Sequence, residues 1–143
     1  MEFQEAEERK VFEESKVIAI VGLSPDKEKP SNVVASYLIA HGYSVFPVNP
    51  RYDEILGRKS YKSLSEIPEQ IDIVDIFMRS DKLLPIVKEA IKLKPRAIWL
   101  QLGIINEEAK KLVEDADIAF FMNVCTKQEH AKLFEQKNAR SRE

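Results

Sequence analysis

The chain has 143 residues, with 22 Lys and Arg against 24 Asp and Glu, a formal net charge of −2, and 44% hydrophobic side chains. That length suits one domain and that apolar share suits a real core, while the balanced charge excludes the global basic field of a broad nucleic-acid binder. A single cysteine, Cys125, excludes an internal disulfide framework and a zinc cluster.

No apolar run reaches the roughly 18 residues that span a bilayer. The acidic start "MEFQEAEERKVFEES" does not read as a signal peptide. A cytoplasmic protein with no membrane segment and no structural metal is expected. Lys, Glu and Ile are abundant while Gln and Cys are scarce, a bias shared with hyperthermophile proteomes.

Residues 2–14 are charged, and Phe3, Val11 and Phe12 are the expected anchors of an amphipathic helix. "KVIAIV" (16–21) is a short β-branched run that predicts a buried strand ending at Gly22. From Ser31, Val33, Val34, Tyr37, Leu38 and Ala40 recur at helical spacing, with Pro30 suited to the first turn and Gly42 to the stop. "YSVFPV" (43–48) predicts the second strand, and the stretch through Asp53, Glu54 and Gly57 reads as loop. "DIVDIF" (72–77), "RAIWLQ" (96–101) and "DIAFFM" (117–122) predict three more strands. Between them lie the helical patterns "DKLLPIVKEAIKL" (81–93), with Pro85 in its first turns, and "INEEAKKLVEDA" (105–116), capped by Asn106. "TKQEHAKLFEQK" (126–137) predicts a last helix.

Strict alternation of strands and helices demands a mostly parallel sheet with right-handed crossovers. The expected fold is therefore α/β: one doubly wound, Rossmann-like domain over 1–143, with a five-stranded parallel sheet and helices on both faces. The expected tail, 138–143, frays.

In such sheets the ligand sits beyond the carboxyl ends of the strands, where strand order reverses. The loop after the first strand, "GLSPDKEKPSN", has one glycine where a dinucleotide fingerprint needs three, and it is not a P-loop. Gly22 still permits close backbone approach, and the helix beginning near Pro30 to Asn32 offers free N–H groups to an anion. Ser24 and Ser31 bring hydroxyls and Lys27 and Lys29 bring charge; an ordinary solvated loop is the competing reading.

At the end of the second strand, where an NAD-dependent enzyme places an acid, this chain has "VNPRY" with Arg51. A cation there suits a phosphorylated ribose, either the 2′-phosphate of NADP or the 3′-phosphate of coenzyme A. Pro50 offers a flat wall beside an adenine. Arg58 and Lys59 either widen the positive patch or are solvated.

"VGLSPDKEKPSN", "GYSVFPVNPRY" with "ILGRKSYKSLSEIP", "DIVDIFMRSD", "AIWLQLGIIN" and "NVCTKQEHAKL" together resemble the small stand-alone coenzyme A-binding proteins. Their domain is similar to the N-terminal domain of the succinyl-CoA synthetase α subunit. The resemblance covers about residues 15–134. It implies that Gly22, Leu23 and Ser24 approach the pyrophosphate, beside Lys29, Ser31 and Asn32 at the helix start. Asn49, Pro50 and Arg51 would face the adenosine, with Arg51 on the 3′-phosphate. Phe77, Met78 and Arg79 would flank the adenine or the start of the pantetheine arm, and Gln101, Leu102 and Gly103 would line its path. The synthetase carries its phosphorylated histidine on a second domain that has no counterpart in this sequence, so ligase chemistry is not expected.

Cys125 follows the fifth strand at the entry of the last helix, a position that favours thiolate, though a small buried core cysteine is the plainer reading. Near the pantetheine thiol it would form a mixed disulfide with coenzyme A. His41 is expected at a helix end, and Glu129 and His130 on a helix surface or in salt bridges. No catalytic constellation is complete. The leading expectation is a non-catalytic carrier or sensor of coenzyme A or a short acyl-CoA. The alternatives are an NADP-dependent oxidoreductase and a binding or regulatory subunit of an acyl-CoA synthetase-like complex. A homo-oligomer or a partner chain is compatible with either.

Overall fold

The computed structural model describes residues 2–135. Helix α1 (Glu2–Glu14) leads into strand β1 (Val17–Val21), followed by α2 (Pro30–Ala40) and β2 (Ser44–Val48). Then come a short pair, β3 (Glu54–Ile55) and β4 (Arg58–Lys59), and strand β5 (Ile73–Ile76). Helix α3 (Leu84–Lys92), β6 (Ala97–Leu100), α4 (Glu107–Asp115), β7 (Ala119–Met122) and α5 (Thr126–His130) complete the order, with α5 running on as a π-helical stretch, Ala131–Glu135. The expected frayed tail and the end of the last predicted helix lie outside the described residues.

The main sheet has the order β2-β1-β5-β6-β7, and every neighbouring pair is parallel. Successive strand residues point to opposite faces. Ile18 and Ile20 therefore enter one core with Phe12 of α1, Leu38 of α2 and Leu133. Ala19 and Val21 enter the other with Val87 of α3 and Val113 of α4. Helices cover both faces, as the alternation requires, and β5 and β6 are buried along their whole length.

The outer strand β2 contains Pro47, which a central strand would exclude because it donates no ladder hydrogen bond. Its carbonyl accepts from Tyr61 N at 2.9 Å, and Tyr61 also bridges to Val48. Pro85 sits in the first turn of α3 as expected, and Asn106 caps α4 by accepting from Ala109 N at 2.9 Å.

Three expectations are corrected. Phe3 is 93% exposed and anchors nothing; α1 buries Glu8, Val11 and Phe12 instead. Phe3 precedes Glu8 by five residues, which turns it about 140° away from that stripe. The stretch read as loop around Gly57 contains the β3–β4 hairpin, turned by Leu56 (φ 55°) and Gly57 (φ 71°), both left-handed as a two-residue primed turn requires. His130 is not on the surface. It is buried among Phe12, Tyr37, Tyr43 and Phe134, with Nδ1 2.8 Å from the Tyr37 hydroxyl.

Burial, with His41 nearby, pushes the His130 imidazole down to about 4. Packing brings the His41 and His130 rings to within 5.2 Å. Glu8 is fully buried where α1 meets α5, and burial, reinforced by the neighbouring Glu129 carboxyl, raises it to about 8. The folded chain therefore binds a proton at Glu8 that the unfolded chain has released above the ordinary carboxylate range. Stability from this group is full at low pH and is lost as pH rises through about 8. Glu8→Gln should flatten the fall in melting temperature between about pH 5 and pH 9 and be more stable than the parent at the alkaline end, as read by thermal melts across that range.

Candidate functional site

The strand order reverses between β1 and β5, so a crevice opens at their carboxyl ends. Gly22 closes β1 there with φ +84°, and a Cβ on it would lie 2.2 Å from the Phe77 carbonyl oxygen at the end of β5. Gly22 N donates to Val48 O and Phe77 N donates to Val21 O, each at 2.9 Å. The ends of β1, β2 and β5 are thus drawn together around a residue that has no side chain.

The loop that follows is braced from within. Ser24 N donates to Ser31 Oγ, and Asn32 Nδ2 donates to Ser24 O, each at 2.9 Å. Ser24 Oγ accepts from Asp26 N, and Asp26 Oδ1 from Glu28 N. Ser31 and Asn32 are accordingly buried and shape the loop, while Lys27 and Lys29 are exposed. Helix α2 has no side-chain cap at Lys29 and no acidic residue in its first turn. Its positive end is therefore left for an anion.

The Leu23 side chain is buried in the core, and its carbonyl accepts from Asn49 Nδ2 at 3.0 Å. Asn49 Oδ1 accepts from Arg51 N at 3.1 Å, and Asn49 O from Ser60 Oγ at 2.9 Å. The Asn49 side chain is thus a strut between two loops. It presents Pro50 and Arg51, both exposed, beside the loop after β1.

A cavity of about 400 Å³ lies next to this crevice, within the usual range of ligand pockets. Pro30 and Val34 of α2 form one side; Phe77, Gln101, Leu102 and Ile104, from the ends of β5 and β6, form another; Cys125 and Gln128 complete it. The structure therefore unites the expected Phe77, Gln101, Leu102 and Cys125. It does not bring Met78 or Arg79 to that cavity. Met78 packs into the core on the α3 and α4 side, and Arg79 is exposed and paired with Asp81 at 3.1 Å. Gly103 N is taken by Asn123 Oδ1 at 2.7 Å.

Two residues escape sequence reasoning. Asp75 is fully buried in the middle of β5 and accepts from Gln101 Nε2 and from Thr126 Oγ1, the latter at 2.9 Å. Burial pushes its carboxyl up to about 7, against the opposing pull of those two donors. The available signal was one acid interrupting the apolar run "DIVDIF". Thr126, also fully buried, begins α5 directly after Cys125. The segment before it is held by Trp99, whose indole Nε1 donates to Val124 O at 2.8 Å.

Residues 16–131 match the model of the CoA binding domain family, and the chain belongs to that family. It is 38% identical over 126 residues to the Bacillus subtilis (strain 168) protein YneT, covering 88% of this chain and 93% of that one. It is 34% identical over 108 residues to subunit alpha of acetate–CoA ligase [ADP-forming] I from Pyrococcus furiosus, covering 68% of this chain and 23% of the subunit. The family tie thus reaches acyl-CoA synthetase subunits, of which this chain spans about a quarter. Among solved structures, a hypothetical protein from Pyrococcus horikoshii OT3 superposes with a TM-score of 0.87 at 40% identity, covering 90% of this chain and 91% of the other.

Gly22→Ala should cost at least about 2 kcal/mol, combining the left-handed backbone with a clash against Phe77. Gly57→Ala, also left-handed but with nothing within 4 Å of its added Cβ, should cost clearly less. Urea denaturation of the two variants measures the difference, which is the contribution of the close approach.

Proposed function

We propose that the chain binds coenzyme A, or a short acyl-CoA, across the carboxyl ends of β1, β2, β5 and β6, as a non-catalytic carrier or sensor. The observation that carries this reading is the junction of two environments at Pro30, which belongs both to the uncapped start of α2 and to the wall of the apolar cavity. A ligand that fits both is an anion joined to a neutral, largely apolar arm. Coenzyme A has that form, and membership of the CoA binding domain family supports the choice.

In this pose the pyrophosphate lies against the Gly22–Ser24 backbone and the start of α2, near Lys29. Arg51 reaches the 3′-phosphate, and the pantetheine arm enters the cavity toward Gln101 and Cys125. Gly103, Met78 and Arg79 take no direct part. Among the described residues, Cys125 is the one ionisable side chain lining the cavity, which supports binding rather than acid–base turnover. Its position supports a thiol role in which diamide, by taking up two electrons and two protons, joins the Cys125 sulfur to that of coenzyme A.

Calorimetry with coenzyme A, dephospho-coenzyme A and NADPH at one salt concentration tests the reading. Coenzyme A should bind more tightly than its dephospho form by about 1.5–3 kcal/mol, the worth of a charged hydrogen-bond pair, and Arg51→Ala should abolish most of that difference. Binding of NADPH with silence toward coenzyme A would replace this reading with an oxidoreductase. For the thiol role, mass spectrometry after diamide treatment of the complex should find coenzyme A attached at Cys125; an unmodified Cys125 on saturated protein would remove it.

A further inference from the structure

The amide of Gln101 has a fixed polarity. Both hydrogens of its Nε2 are committed, one to Asp75 Oδ1 and one to Thr126 Oγ1 at 2.8 Å. The Thr126 hydroxyl, having accepted from Gln101, donates its single hydrogen to Asp75 Oδ2 at 2.9 Å. Ionised, as it is above its raised value of about 7, Asp75 can only accept, so in that form turning the amide over would set one oxygen against another. The direction of every bond in the network follows from that one group.

What remains of Gln101 is its carbonyl oxygen, for which no donor is found among the described residues and which is not one of the fully enclosed unpartnered atoms, so it opens onto the cavity. The residue is 3% exposed and lines the cavity. Its apolar neighbours there, Pro30, Val34, Phe77 and Ile104, have no hydrogen to donate from their side chains. A ligand that fills the cavity takes solvent away from this oxygen, and an acceptor desolvated without a new partner is costly, so the oxygen suits a ligand that brings a donor.

We infer that Gln101 Oε1 accepts a hydrogen bond from an amide N–H of the ligand's arm, and that Asp75 and Thr126 are positioning residues that hold it in the accepting sense. This rests on the coenzyme A reading above, whose pantetheine arm carries secondary amides. The cavity thereby selects an amide-bearing arm over a hydrocarbon chain of equal bulk, which would leave the oxygen unpaired.

The test compares coenzyme A with 3′-phosphoadenosine 5′-diphosphate, which keeps the nucleotide and lacks the arm. In calorimetry, Gln101→Met should weaken coenzyme A about tenfold, and Asp75→Asn, which lets either sense of the network form, about three- to tenfold. Affinity for the armless nucleotide should be unchanged in both variants, a selectivity that a merely structural role would not show. Should Asp75→Asn fail to fold, Thr126→Val, which deletes the linking hydroxyl, should give the same pattern. A coenzyme A analogue with esters replacing the arm's amides should bind wild type more weakly than coenzyme A and Gln101→Met equally. Equal loss for both ligands, or none for either, overturns the inference while the coenzyme A reading stands. Failure of wild type to bind either ligand overturns both.

Discussion

The contact between Gly22 and the Phe77 carbonyl is the constraint on which the rest of the site depends. Two parallel strands that diverge into loops normally separate at their carboxyl ends. Here the absence of a side chain lets the turn after β1 lie directly on the backbone at the end of β5. The bond from Gly22 N to Val48 O adds β2 to the same knot. The crevice is consequently floored by backbone, which brings the loop after β1, the Asn49–Arg51 turn and the start of α2 together at one end of the sheet.

From that knot the site extends in two chemically different directions. Toward α2 it is electropositive, because the first turn of the helix is uncapped and carries no acid. Toward β6 and α5 it is lined mainly by apolar side chains, with Gln101, Cys125 and Gln128 as the polar groups among the lining residues. Asp75 occupies a sheet position where an apolar side chain would cost less. Its two donors come from the end of β6 and the start of α5, so desolvating one carboxylate is offset by fixing three segments relative to one another. Trp99, packed between Phe12 and Phe121 and bonded to Val124, braces the same corner from the core on the same face of the sheet. That corner of the cavity wall is tied by hydrogen bonds to β5, the end of β6 and the start of α5.

Much of this was legible in the sequence because the signals are local. β-Branched runs and helical periodicity act over a few residues, and an alternating order leaves little choice of topology. Once the sheet is parallel, the residues after its strands must lie at one end, which is why Gly22, Arg51 and Cys125 could be singled out; Phe77 and Gln101 came from the family resemblance. Met78 and Arg79, expected beside Phe77, do not line the cavity, because at the end of a strand successive side chains leave in different directions. Phe3 failed for a related reason, since a helix with few apolar residues does not disclose which face it buries. The β3–β4 hairpin was hidden by strands only two residues long and by a leucine in a left-handed turn position.

By itself the sequence determined the order of the main-sheet strands and their helices, the parallel sheet and the end of it that carries the candidate site. Those follow from short-range periodicity and from the stereochemistry of crossovers. Only the tertiary structure decided that the Asn49 side chain ties two loops together, that His130 is buried beside His41, and that Gln101 is bonded to Asp75. Asp75 is 26 residues from Gln101 and 51 from Thr126. The polarity of such a group is set by which donors the packed chain places around it, and no local pattern encodes that.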